Sequence, residues 1–177
     1  MKKCYLIRHA LPGFPGGKKM CLGTTDVPLG QEGFRQAQDM ASSLPPVTAV
    51  FSSDLQRAIE TAQQIGTHRI LKGLRELYAG EWDGLTFEQI RMKFPDLYAA
   101  RASDLTIPLP GAESTEQGLI RFAEAMKNAA EQSDGDFAVV AHGGIMAYFL
   151  QTVTGNWYKP DYAEVVVLNW EDGHYYQ

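Results

Sequence analysis

Cys4-Tyr5-Leu6-Ile7-Arg8-His9 is a run of four apolar residues that ends in an arginine and a histidine. A run this short, bounded by charge, predicts a buried strand. Arg8 and His9 then stand at its C-terminal end, which is where ligands bind in an open α/β sheet. Further apolar runs follow along the chain. Val47–Phe51, entered through Pro45-Pro46, reads as a second strand, Arg69–Leu71 as a short third and Phe137–Ala141 as a fourth. Valine-rich Glu164–Asn169 reads as a fifth. His174–Tyr176 can pair with it across Glu171-Asp172-Gly173, since Asp-Gly favours tight turns.

Helical patterns separate these strands. Leu55, Ala58, Ile59, Ala62 and Ile65 recur at helical spacing, as do Phe34, Ala37, Ala41 and Leu44. A longer helix carries Leu119, Phe122, Ala123, Met126 and Ala130 on one face. Capping boxes are predicted at Ser53 with Gln56, Thr86 with Gln89 and Ser114 with Gln117. Strands alternating with helices predict a three-layer α/β/α sandwich with a mainly parallel central sheet. No linker or repeat interrupts the pattern, so residues 1–177 read as a single domain. Two long irregular stretches flank the strand ends: Leu11–Gly30, with five glycines and three prolines, and Ala99–Ala112. The first is a candidate rim of a site and the second a candidate lid.

Composition narrows the function. Apolar residues at 45% support a packed core and exclude a disordered chain. A net charge of −5 argues against nucleic-acid or membrane-surface partners, which favour a basic face. Two cysteines, Cys4 in the first strand and Cys21 in a loop, form neither a disulfide framework nor a zinc site. They fit a reduced, cytoplasmic setting. The N-terminal apolar run is too short for a signal-peptide core, and no later run reaches membrane length. No cluster has metal-ligand spacing, so neither metal nor cofactor is expected. Oligomeric state has no signature here.

Histidine-mediated phosphoryl transfer suits the polar residues near the strand ends. It needs a neutral imidazole nitrogen as nucleophile, with the other ring nitrogen held by a hydrogen bond. It needs cationic forks on the phosphoryl oxygens and an acid for the leaving group. His9 is the candidate nucleophile. Arg8 and Arg57 are the candidate clamps, with Arg57 on the first turns of the helix after the second strand. His142 follows the fourth strand and precedes Gly143-Gly144, where backbone amides can approach an anion. Glu76 is the candidate acid, near the apolar surfaces of Tyr78 and Trp82, and needs a raised pKa for that role. Glu81 is its rival on the same loop, and Glu113 is a third carboxylate within possible reach of substrate. Lys18 can meet a second anionic group. Tyr148, Trp157, Tyr158 and Tyr162 form either an exposed aromatic patch or core.

The chain resembles the histidine phosphatase superfamily, also called phosphoglycerate-mutase-like. The matching stretches are Leu6-Ile7-Arg8-His9, Asp26-Val27-Pro28-Leu29 with Gly33, Ser52-Ser53-Asp54-Leu55-Gln56-Arg57-Ala58, Leu74-Arg75-Glu76, Gly80-Glu81-Trp82-Asp83-Gly84, Pro110-Gly111-Ala112-Glu113-Ser114 and Ala141-His142-Gly143-Gly144. The resemblance implies a phosphohistidine on His9 and a phosphate pocket of Arg8, Arg57 and His142. It also implies Glu76 as proton donor, an α/β/α fold and no metal. The Gly-Glu-Trp-Asp-Gly and Pro-Gly-Ala-Glu-Ser segments look more like the small bacterial phosphatases, which include α-ribazole phosphatase, than like glycolytic mutases.

Two positions depart from the family pattern. Ala10 stands where a glycine is usual, which is tolerated if its φ stays negative. Leu11-Pro12-Gly13-Phe14-Pro15-Gly16-Gly17-Lys18-Lys19 replaces a continuation that usually carries an asparagine. Thr24 or Lys18 is the candidate substitute for that phosphate contact. The expected activity is a metal-independent phosphomonoesterase acting on a small phosphorylated metabolite, with an α-ribazole-phosphate-type substrate among the options. A phosphoglycerate-type mutase and a non-catalytic binder of phosphorylated ligands are the alternatives.

Overall fold

The computed structural model describes residues 1–177. Six strands form one sheet: β1 (Lys2–Arg8), β2 (Ala49–Ser52), β3 (Arg69–Ile70), β4 (Phe137–Ala141), β5 (Val165–Glu171) and β6 (His174–Tyr176). Their spatial order is β3-β2-β4-β1-β5-β6. β1, β2, β3 and β4 run parallel, while β5 is antiparallel to β1 and β6 to β5. The mainly parallel sheet and the α/β class agree with the sequence.

Side-chain alternation splits the core between the two faces. Cys4 and Leu6 of β1 and Phe137 and Val139 of β4 pack in one cluster with α5 (Thr115–Glu131) and α6 (Gly143–Thr154). Tyr5 and Ile7 of β1 and Ala138 and Val140 of β4 pack in the other with α1 (Gln31–Ser43) and α2 (Gln56–Ile65). Helices on both faces make the three-layer sandwich. β4 is buried along its whole length, which explains its unbroken apolar run.

This topology creates the site. β1 and β4 are neighbours, yet the helix after β1 packs on one face and the helix after β4 on the other. A crevice opens where connections diverge at the strands' C-terminal ends. The register aligns Arg8 with Ala141 and Ser52 with Val140. One residue further on, His9, His142 and Ser53 come together.

The local expectations fare unevenly. Thr86 forms its full capping box at the start of α3 (Phe87–Lys93). Ser114 accepts the Gln117 N–H at the start of α5, but the Gln117 side chain does not reach back, so only half of the predicted box forms. The predicted box at Ser53 and Gln56 does not form. α2 starts two residues later, with Leu55 as its N-cap, and the Gln56 N–H is taken by Asp26 at 2.8 Å. A carboxylate remote in sequence thus satisfies the helix end and frees Ser53. Part of the segment expected to be irregular is helical, since α4 spans Pro95–Ser103. α3 and α4 enclose a small satellite core around Trp82 and Ile90, joined by Phe94 and Tyr98. Ala163 and Asp172 are the only non-glycine residues of positive φ, so Ala10 carries no left-handed strain.

Candidate active site

His9 is buried at the end of β1. Its Nδ1 lies 2.8 Å from the carbonyl oxygen of Ala10. A carbonyl only accepts, so Nδ1 carries the proton and Nε2 keeps its lone pair. The backbone behind it is fixed twice: the His9 N–H donates to Ala141, and the Ala10 N–H to Thr61 Oγ1. Burial first, then the Arg57 and Arg8 charges, holds the His9 imidazole well below its ordinary 6.5. His9 is therefore a neutral base at neutral pH.

Arg8, Arg57 and His142 surround it. The Arg8 guanidinium stacks 3.8 Å from the centre of the Tyr162 ring and donates from Nη1 to Pro160 O at 2.8 Å. Arg57 is fully buried and donates to Gly23 O at 2.9 Å and Thr25 O at 3.0 Å. The rings of His142 and His9 are 5.1 Å apart. Burial, then the charges of Arg57 and other neighbours, holds His142 well below its ordinary value too. Five buried side-chain nitrogen or oxygen atoms in the chain lack a partner, and three of them are Arg8 Nε, Arg57 Nε and His142 Nδ1. Buried polar atoms are rarely left unpaired without a functional reason. Unpartnered donors gathered around a neutral imidazole are the chemistry of an anion site beside a nucleophile.

Glu76 lies across the N-terminus of α6. Its carboxylate accepts the N–H groups of Gly144 at 2.7 Å, Ile145 at 2.8 Å and Leu77 at 2.9 Å. The sequence assigns Gly143-Gly144 to an approaching anion, but the structure gives the glycines another reason. A Cβ on Gly144 would stand 2.8 Å from Glu76 Oε1, and one on Gly143 2.8 Å from Arg8 Nε. Both glycines clear space for catalytic candidates. Arg121 holds the segment leading to Glu76 by donating to the carbonyls of Gly73, Arg75 and Glu76.

A cavity of about 710 Å³ opens above these groups. Arg8, His9, Glu76, Gly143 and Glu113 line it, while Arg57 and His142 are fully buried and do not line it. Glu113 forms a bidentate pair with Arg121, which holds its carboxyl below the usual range. Lys18, Thr24 and Glu81 do not reach this cavity. Lys18 pairs with Glu88 in solvent, while Lys19, the next residue, lines the cavity. Thr24 binds Asp83 through both its N–H and its hydroxyl. Glu81 is exposed and lies outside the cavity that Glu76 lines. Trp82 faces the satellite core, and only Tyr78 of the two expected aromatics meets the cavity.

Sequence patterns do not disclose Ser53, Tyr162 and Asp83 as parts of the site. Ser53 reads as a cap, yet its Oγ lies 2.7 Å from His142 Nε2. Tyr162, Tyr148 and Trp157 line the cavity, with Tyr148 packed on Trp157 at 4.8 Å, while Trp157 and Tyr158 are also exposed and Tyr158 lies outside the cavity. Asp83 sits in the Gly-Glu-Trp-Asp-Gly motif, the only local hint of its importance.

Comparison with known proteins agrees with this geometry. The profile of the histidine phosphatase superfamily (branch 1) matches residues 4–176. Phosphoglycerate mutase-like protein 4 of Arabidopsis thaliana is 33% identical over 153 residues, covering 80% of this chain and 66% of that protein. Glucosyl-3-phosphoglycerate phosphatase of Mycobacterium tuberculosis is 30% identical over 177 residues, covering 88% of this chain and 78% of that protein. The native structure of mycobacterial glucosyl-3-phosphoglycerate phosphatase superposes with a TM-score of 0.80 at 26% identity, over 94% of this chain and 89% of that one. An α-ribazole phosphatase from Shigella flexneri shares the fold, with a TM-score of 0.82 at 20% identity over 98% of this chain and 93% of that one. The chain belongs to the histidine phosphatase superfamily, branch 1, and is an enzyme of the phosphoric monoester hydrolase type.

Proposed function

We propose that the protein is a metal-independent phosphomonoesterase that hydrolyses a small phosphorylated metabolite through a phosphohistidine on His9. The observation that carries this reading is the set of unpartnered Arg8 Nε, Arg57 Nε and His142 Nδ1 atoms around an imidazole whose Nε2 is free. These donors hold the non-bridging oxygens, a task that two guanidinium groups perform well.

In the first half-reaction the Nε2 lone pair attacks phosphorus in line with the ester oxygen. The N–P bond forms as the P–O bond breaks, and the leaving oxygen takes a proton from Glu76. In the second half, water gives a proton to the Glu76 carboxylate and its oxygen attacks phosphorus. The P–N bond then breaks, its electron pair returns to Nε2, and inorganic phosphate leaves.

The cavity wall supports a leaving group with a flat apolar body, as in an α-ribazole-phosphate-type substrate. Phe14, Phe87, Ile107, Leu109 and Trp157 contribute to it, and 15 of its 28 lining residues are hydrophobic. Such a wall stabilises apolar surface, while Lys19, Arg101, Glu113, Ser114, Thr115 and Lys159 in the same lining offer partners to the polar part of a substrate. The test is turnover in EDTA of α-ribazole phosphate, phosphoserine and glycerol phosphate, with His9→Ala in parallel. Hydrolysis that persists in EDTA and disappears in the variant, together with an acid-labile phosphoenzyme in quenched wild-type reactions, supports the mechanism. Loss of activity in EDTA, or full activity in His9→Ala, sinks it. A preference for phosphoserine or glycerol phosphate removes the substrate assignment alone.

A further inference from the structure

Asp83 is absent from the cavity wall, yet its carboxylate accepts four hydrogen bonds from one short loop. The donors are the N–H groups of Gly23 at 3.1 Å, Thr24 at 2.7 Å and Thr25 at 3.1 Å, and the Thr24 hydroxyl at 2.9 Å. The same loop offers the carbonyls of Gly23 and Thr25 to the buried Arg57 guanidinium. These two facts meet in a single peptide group. The carbonyl of Gly23 and the N–H of Thr24 belong to one planar trans unit, so they point in opposite directions. One end is bonded to Arg57 and the other to Asp83.

The loop has no room to pivot. A Cβ on Gly23 would come within 2.7 Å of Ala79 N and Leu77 O and 2.9 Å of Asp83 Oδ2. The charge arrangement also has a purpose. Arg57 forms no ion pair with any carboxylate within 4.0 Å and is anchored by neutral carbonyls. A direct carboxylate partner would neutralise the guanidinium that must meet a phosphoryl group. An intervening peptide transmits orientation and polarisation from Asp83 while leaving the Arg57 charge available.

We propose that Asp83 is a positioning residue for Arg57, acting through the Gly23–Thr25 loop to aim the guanidinium at the transferring phosphoryl group. This rests on Arg57 being a phosphate ligand. The test is a double-mutant cycle of Asp83→Asn with Arg57→Ala, read by the inhibition constant for inorganic phosphate and by kcat, with folding followed by circular dichroism. Asn keeps the shape but turns an NH2 group toward N–H donors. In the wild-type background it should weaken phosphate binding and lower kcat by roughly tenfold to a hundredfold, the scale of a lost charge-assisted hydrogen bond. In the Arg57→Ala background it should have little further effect, because the group it positions is gone.

Losses that multiply across the cycle, or an Asp83→Asn enzyme that behaves as wild type, overturn the proposal. Should Asp83→Asn fail to fold, Thr24→Val replaces it in the cycle. It removes one bond to Asp83 and must show the same coupling at smaller amplitude, and additive losses there overturn the proposal equally. An Arg57→Ala enzyme with unaltered phosphate affinity defeats the phosphate-ligand reading of Arg57 itself, and the positioning role with it.

Discussion

Ser53 Oγ lies 2.7 Å from His142 Nε2, and this bond selects the face that His142 presents to the site. Ser53 is fully buried and its oxygen also accepts the Leu55 N–H at 3.3 Å. Its own proton has one outlet, the lone pair of His142 Nε2. The imidazole proton must then sit on Nδ1, the atom without a partner. A neutral His142 is thereby a hydrogen-bond donor toward a phosphoryl oxygen. Ser53→Ala should free the tautomer and lower kcat about tenfold, the scale of one lost hydrogen bond to a charged group. Imidazole ¹⁵N shifts check it: wild-type His142 should read as the Nδ1–H form and the variant as a mixture.

Glu76→Gln separates proton transfer from binding. It should reduce kcat by about 10² to 10⁴ for alkyl phosphomonoesters, whose leaving oxygen needs a proton. With 4-nitrophenyl phosphate, whose leaving group departs as an anion, the loss of the first step should be much smaller. Equal losses on both substrates would instead indicate that Glu76 acts in the shared dephosphorylation step or in shaping the α6 terminus.

Gly144→Ala tests the contact between α6 and Glu76. The new methyl would stand 2.8 Å from Oε1 and 3.0 Å from Cδ, so the carboxylate must move. Overpacking of this kind costs about 1–3 kcal/mol. Activity should fall further than Tm suggests, because the displaced group is the proposed proton carrier. A variant with wild-type kcat would show that Glu76 works from another position.

The two histidines give stability a distinct pH window. Burial and neighbouring guanidinium charge hold both below the ordinary 6.5 in the folded protein. As pH falls below about 6.5 the unfolded chain takes up protons that the native site refuses. Their contribution is complete above that value and is lost on acidification toward the depressed folded values. The slope is at most about 1.4 kcal/mol per pH unit for each histidine. The lowered carboxyls of Asp54, Asp83 and Glu113 act in the same direction but start from ordinary values of 3.8 to 4.5, at lower pH. Denaturant unfolding between pH 5 and 7 should thus show a slope that flattens in His142→Gln. An unchanged slope would mean that His142 titrates normally in the native state.

Much of this molecule is legible in its sequence. Alternation within Cys4–Ile7 and Phe137–Ala141 decides which side chains serve each helical layer, because successive residues of a strand face opposite ways. The order of strands and helices leads to the sandwich, and strand ends mark Arg8, His9 and His142 as candidates. Local spacing carries this information because it belongs to neighbours along the chain. The partners of these residues belong to distant segments. Ser53 and His142 are 89 positions apart, Arg8 and Pro160 152, Glu76 and Gly144 68, and Thr24 and Asp83 59. Only the sheet order and the crossing of its connections bring such pairs within hydrogen-bond reach. Tertiary structure therefore decided that Ser53 bonds a histidine as well as the Leu55 N–H beside it, that Lys18 faces solvent while Lys19 faces the cavity, and that Asp83 holds the loop that holds Arg57.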